Sequence, residues 1–254
     1  MILGGGYALG CPAVSVCVFM GAGCYIGLVW PKDMNGPRFM LSGFIFNMMQ
    51  LAKSLQGNKN ILLLIIISAL CESSISIFTY YWAPWITEVN DQAKGSSVPY
   101  EIVFATYIGA SMIGNYSYQL FVPYWGNDTI LQIILVGSSC AYFFGTIFQT
   151  PTMIFMISIG LQACVGAYWP SIGFLRGRYV LPEQRNTCIT VGRLINLLIT
   201  VCVLTLIHHS SMMTLIVCAG LFGGASYLQH TMMQSNDALS GGSNDILMKE
   251  IAAE

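Results

Sequence analysis

Runs of about 20 apolar residues recur along this chain, near 8–30, 61–86, 100–122, 129–148, 151–175, 187–207 and 212–230. At 1.5 Å per residue a run of that length crosses the ~30 Å hydrocarbon core of a bilayer. Lipid offers the backbone no hydrogen bonds, so only helices and closed barrels can span it. The runs lack the two-residue alternation of strands. The expected fold class is therefore all-α, a polytopic helical membrane protein with about seven transmembrane helices. Charged residues make up only 8% of the chain, against about 25% in soluble domains. Phe39–Leu51 is apolar but too short to span and is bounded by Arg38 and Lys53. It reads as an interfacial helix within 39–55.

Seven spans fix alternating sides. Loops 31–60 and 176–186 and the tail after 230 share one side and hold Lys32, Arg38, Lys53, Lys59, Arg176, Arg178, Arg185 and Lys249. The other side has Lys94 alone. Basic residues mark the cytoplasmic face. The expected organisation is a transmembrane helix over 1–30, a cytoplasmic linker with the interfacial helix over 31–60, six helices over 61–230, and a disordered cytoplasmic tail over 231–254 around Ser240-Gly-Gly-Ser243. Asn127-Asp-Thr129, a glycosylation sequon, falls in the expected cytoplasmic loop 123–128. The start, Met-Ile-Leu-Gly-Gly-Gly, has no basic region and does not read as a cleavable signal.

Several functional classes find no support. Nine cysteines with no C-x-x-C spacing do not make a zinc site or a disulfide framework. His208 and His209 are adjacent and do not face one point, so no metal is expected. No phosphate-binding G-x-x-x-x-G-K-[ST] run and no Ser/His/Asp constellation occurs. The expectation is a protein that is not an enzyme and carries no cofactor. No basic patch is large enough for nucleic acid.

The informative residues lie inside the spans. Glu72 sits roughly 16 Å in from Ile61, near the middle of the hydrocarbon layer. A carboxylate there costs on the order of 3 kcal/mol on insertion scales, so it is expected to face a bundle interior or a wet cavity. Ser68, Glu72, Ser76 and Thr79 recur at helical spacing on one face. Asn186, Thr190, Arg193, Asn196 and Thr200 form a second stripe. Ser111, Asn115, Tyr118 and Gln119 form a weaker third, and Ser158 and Gln162 pair on a fourth helix. Hydroxyls alone are explained by hydrogen bonds between helices. Glu72 and Arg193 on the stripes favour a shared translocation cavity. Arg193 has three readings: it snorkels to the membrane edge, it pairs with Glu72, or its planar donors bind a tetrahedral oxyanion. Gly23-x3-Gly27, Gly173-x3-Gly177 and Gly220-x3-Gly224 mark expected helix contacts. The five tryptophans fall near span ends, as in an interfacial aromatic belt.

Ser68-Ala-Leu-Cys-Glu72-Ser-Ser, ending in Tyr81-Trp-Ala-Pro84, resembles the seventh helix of the molybdate-anion transporters of the major facilitator superfamily. Gly166-Ala-Tyr-Trp-Pro-Ser-Ile-Gly-Phe-Leu-Arg176, followed by Val180-Leu-Pro-Glu183, resembles their tenth helix and the loop after it. Arg193 matches an arginine early in their eleventh. The segment opening with Trp30 resembles the link between their two halves. The resemblance covers about residues 25–230. It implies the last helix of the first half plus the whole second half of a twelve-helix carrier. The chain departs from the pattern at Val191-Gly192, where an aromatic residue is usual, and in 123–128, which lacks the basic residues of the equivalent loop.

The resemblance implies secondary transport of molybdate or a related oxyanion by alternating access in the plasma membrane. Glu72, Arg193, Asn196, Ser68, Ser76, Asn115 and Gln162 would serve binding or coupling, and Arg176 and Arg178 a cytoplasmic gate. The implied partners are the lipid bilayer, the oxyanion, protons, and a missing N-terminal half or a second copy. A seven-span receptor fits the topology equally well, and a non-transporting structural subunit is a third reading. The receptor reading finds no lysine in 212–230, no Asp-Arg-Tyr-like run at the end of the third span and no Asn-Pro-x-x-Tyr in the last.

Overall fold

A computed structural model describes residues 59–93, 98–206 and 211–251. They form six helices: α1 (Lys59–Gln92), α2 (Tyr100–Trp125), α3 (Asn127–Ile147), α4 (Pro151–Tyr179), α5 (Arg185–Leu206) and α6 (Ser211–Ile251). The expected helix over 8–30 and the interfacial helix over 39–55 lie outside the described residues.

Five of the six helices are long and apolar enough to cross a membrane, and α2 is the exception. It has the length, 26 residues, but Ser111, Asn115, Ser117, Gln119 and five tyrosines dilute its apolar surface. The described residues thus hold five apolar spans and one more polar helix where six equal spans were expected. α6 continues to Ile251, well past the end expected near 230. No proline follows Pro182 to stop it. Its inward face also runs on at helical spacing: Leu215, Cys218, Phe222, Ala225, Gln229 and Met232 are all buried.

The packing partners define an order around the bundle, α5–α1–α6–α3–α4–α2, with α1 also meeting α4 across the middle. α1 is the most enclosed helix. Of its most apolar 18-residue stretch 67% is buried, against 11% for α5. Small hydroxyls let its neighbours approach. The Ser73 hydroxyl donates to the Ala69 carbonyl at 2.6 Å and reaches the Asn196 carbonyl of α5 at 3.4 Å. The Ser74 hydroxyl reaches the Cys218 carbonyl of α6 at 3.4 Å. On the far side of the bundle, the Ser139 hydroxyl of α3 donates to the Ala219 carbonyl of α6 at 2.9 Å.

The closest approach of two backbones is between α2 and α4. A Cβ on Gly114 would overlap the carbonyl of Ala163, and one on Gly166 would overlap the carbonyl of Ser111. The glycine pairs marked in the sequence are not comparable. Gly173 and Gly220 have open space beside them, and Gly177 and Gly224 make ordinary contacts. Both critical glycines meet small residues on the partner helix rather than another glycine one turn away. A same-helix pattern therefore does not reveal them.

The sequence expectation of a loop over 123–128 reduces to one residue. Pro123 closes α2, Gly126 turns the chain with φ 74°, and Asn127 already begins α3. A positive φ favours glycine, which has no Cβ to clash.

Gly114→Ala and Gly166→Ala should each destabilise the protein by about 1–3 kcal/mol or more, as overpacking does, and so lower the thermal unfolding temperature in detergent. Gly173→Ala should be nearly neutral. Thermal unfolding of the three variants followed by intrinsic fluorescence checks this ordering.

Candidate functional site

α1, α4 and α5 enclose a cavity of about 390 Å³ lined by Glu72, Ser76, Tyr80, Trp169, Arg193, Asn196 and Thr200, with Ile75 and Leu197. Four of the sequence candidates, Glu72, Ser76, Arg193 and Asn196, thus share one space. Their spacing explains it. Glu72, Ser76 and Tyr80 follow one face of α1 at intervals of four. Arg193, Asn196 and Thr200 follow one face of α5 at intervals of three and four. The apolar side of α5 carries Leu194, Leu198 and Val201, all exposed on the bundle exterior.

The electrostatic partner of Glu72 is not Arg193. Its carboxylate Oε1 accepts a hydrogen bond from Arg176 Nη2 at 2.7 Å, and the two side chains are only 9% and 13% exposed. Arg176 was expected in a cytoplasmic loop, as a gate residue. It lies within α4, which runs to Tyr179. Helical side chains lean towards the N-terminus of their helix, which sends this guanidinium back along α4 to the carboxylate. Arg178 stays at the helix end and pairs with Asp128 of α3 at 3.2 Å. That pair is half in solvent and contributes little, about 0–1 kcal/mol.

Arg193 lines the cavity and makes no ion pair among the described residues. Beside it the Thr200 hydroxyl donates to Asn196 Oδ1 at 3.0 Å. That bond occupies the amide's acceptor and leaves Nδ2 as a donor towards the cavity. A guanidinium and an amide N–H on one helix face make a donor-rich wall, which suits an anion.

The remaining candidates separate. Ser68 donates to the Ile65 carbonyl at 3.0 Å and packs beside Gly192, so it serves the contact of α1 with α5. Gln162 lines a second cavity of about 360 Å³ with Phe104, Tyr107, Ile108, Ser111 and Met112. Asn115 is exposed and lines neither cavity. Gln162 and Trp169 stand seven residues apart on one stripe of α4 and each lines one of the cavities; Arg176, seven further on the same stripe, lines neither and is held by Glu72. That heptad spacing is visible in the sequence. It is masked because Trp169 also fits an aromatic belt and Arg176 also fits a loop.

Where α2, α3 and α4 meet, Asn127 forms a buried hub. Its Oδ1 accepts from the Tyr118 hydroxyl at 2.8 Å and from the Ser171 hydroxyl at 2.9 Å, while Nδ2 donates to the Ser171 carbonyl at 3.3 Å. Asn127→Ala would strand two buried hydroxyls, each costing about 1–3 kcal/mol. It should lower the unfolding temperature more than Arg178→Ala does. Asn127 should also carry no glycan, because its amide is enclosed whichever side of the membrane it faces. Mass spectrometry of the expressed protein checks the second point.

Residues 13–168 match a major facilitator family described as sugar transporters with 12 TM segments. The chain is similar to the molybdate-anion transporter of Danio rerio, at 28% identity over 177 residues, covering 64% of this chain and 35% of that protein. It is also similar to those of Takifugu rubripes, at 28% over 146 residues (54% and 29%), and Xenopus laevis, at 27% over 143 residues (53% and 30%). The chain spans about a third of the length of the curated relatives it matches. No solved structure matches it. The family match covers more than half of the residues, and the chain is a multi-pass membrane protein that belongs to the major facilitator transporters.

Proposed function

We propose that this chain takes part in secondary transport of molybdate or a related oxyanion, with α1–α6 forming one half of the carrier and the cavity between α1, α4 and α5 forming half of the substrate site. The observation that carries the reading is Arg193, an arginine on the cavity wall with no ion pair among the described residues, beside the donor face of Asn196. The names of the relatives supply the substrate class.

Transport then proceeds by alternating access, with the site near the middle of the membrane between two halves that rock against each other. The order of the helices leaves α5 and α2 as its two ends. The side between those ends, where the cavities open, is where the other half would pack. On this reading Lys59, Arg178 and Arg185, at helix ends on one side of the bundle, face the cytoplasm of a cell bounded by the plasma membrane, in keeping with the positive-inside bias.

One observation favours a neutral substrate instead. Tyr80 and Trp169 present exposed rings to the same cavity, and rings beside hydrogen-bonding groups also suit a sugar. Charge decides between the two. Losing a charge-assisted hydrogen bond costs about 1.5–3 kcal/mol, or roughly 10–100-fold in affinity. Equilibrium binding of radiolabelled molybdate to the protein in nanodiscs should weaken by that factor in Arg193→Gln and recover in part in Arg193→Lys. Unchanged binding in Arg193→Gln, or displacement of the label by glucose, would count against the oxyanion reading.

A further inference from the structure

We infer that the second cavity, between α2 and α4, binds the neutral, hydroxylated part of a substrate whose anionic head sits at Arg193. The preferred ligand is then an organic oxyanion ester, such as a sugar phosphate, rather than a bare inorganic ion. The inference rests on the oxyanion reading above and deepens it by naming the substrate class.

Size and placement come first. The second cavity, about 360 Å³, is nearly as large as the first, about 390 Å³. Each falls in the ~300–1,000 Å³ range of small-molecule sites. Both stand on one face of one helix. Gln162 of the second cavity and Trp169 of the first are seven residues apart on α4, roughly 10 Å along its axis. A tetrahedral ion held at Arg193 does not reach from one cavity to the other. An ester of such an ion with a body the size of a sugar does.

The lining then selects the chemistry. Phe104, Tyr107, Ile108, Ser111, Met112 and Gln162 include no charged group, so the second cavity has nothing to hold a second anion. The Gln162 amide and the Ser111 hydroxyl make no hydrogen bond to another described residue. An amide offers donors and an acceptor, and a hydroxyl offers both. Sugar hydroxyls also donate and accept, whereas a tetrahedral dianion only accepts. A purely apolar body would leave the amide and the hydroxyl unpaired, at a cost. Beside them, the exposed ring of Phe104 stacks on Trp82 at 6.3 Å. The buried ring of Tyr107 meets Trp82 at 5.4 Å and Phe155 at 6.4 Å. Fixed aromatic rings with a few convergent polar groups are the make-up of a small-molecule site.

Charge divides the work between the cavities. Glu72 and Arg176 balance each other, so the charge that the first cavity presents is that of Arg193. An inorganic ion uses the first cavity alone. A ligand with hydroxyls beyond its charged head uses both, and the second cavity thereby separates the ester from the bare ion.

The test is displacement of radiolabelled molybdate from the protein in nanodiscs by glucose 6-phosphate, inorganic phosphate and glucose. In wild type, glucose 6-phosphate should displace the label at a concentration lower than inorganic phosphate by about tenfold or more, as two added hydrogen bonds imply. Glucose should not displace it. The ratio between the two phosphates is read within each variant, so a general loss of binding cancels. It should fall by about threefold or more in Gln162→Leu and in Ser111→Ala, and approach unity in the double variant. Arg193→Gln should weaken both phosphates by a similar factor. Equal displacement by the two phosphates in wild type, or a ratio that survives the double variant, removes the second cavity from the site and leaves the oxyanion reading standing. Displacement by glucose as effective as by its phosphate overturns both. No saturable molybdate binding overturns the oxyanion reading itself, and this inference with it.

Discussion

A carboxylate among apolar helices must meet a cation, and Glu72 meets Arg176. Breaking such a pair from one side costs about 3–5 kcal/mol when the survivor stays buried. The bond joins α1 to α4, the contact that closes the bundle across its middle. The other helices depend on these two. α5 and α6 lie against α1 through Ser73 and Ser74. α2 lies against α4 through Gly114 and Gly166. α3 is tied to α4 through Asn127. In lipid no water competes to drive helices together, so small residues and hydrogen bonds carry the association.

The same arrangement explains why the polar groups collect on one side. α6 and α3 complete the enclosure of α1 and α4 from one direction. α2 and α5 do not complete it from the other. Their outward residues, such as Ile113, Tyr116, Leu194 and Leu198, are large and apolar. The polar residues of α5 turn to the cavity. A helix with this division separates a lipid-compatible face from a wet one, which the resemblance to a two-halved carrier also implies.

Much of the bundle was legible because length and apolarity alone settle a membrane helix. The described helices begin and end within a few residues of the apolar runs, except where Gln92, Trp125 and Tyr179 extend their helices and α6 runs on. The polar faces were legible for the same reason, since Glu72 with Ser76 and Arg193 with Asn196 follow helical spacing. What the sequence did not show is which faces meet. Gly114 against Ala163 and Gly166 against Ser111 are pairings between helices, and no spacing within one helix encodes them. Arg176 was hidden differently. It stands at the edge of an apolar run, where a basic residue reads as a loop marker, although its side chain is long enough to reach back into the bundle.

That reach gives the two arginines different surroundings. Arg193 lines the cavity and makes no ion pair among the described residues, whereas Arg176 is held by Glu72 at 2.7 Å. Glu72 is thus shared between the ion pair that joins α1 to α4 and the wall of the cavity between α1, α4 and α5.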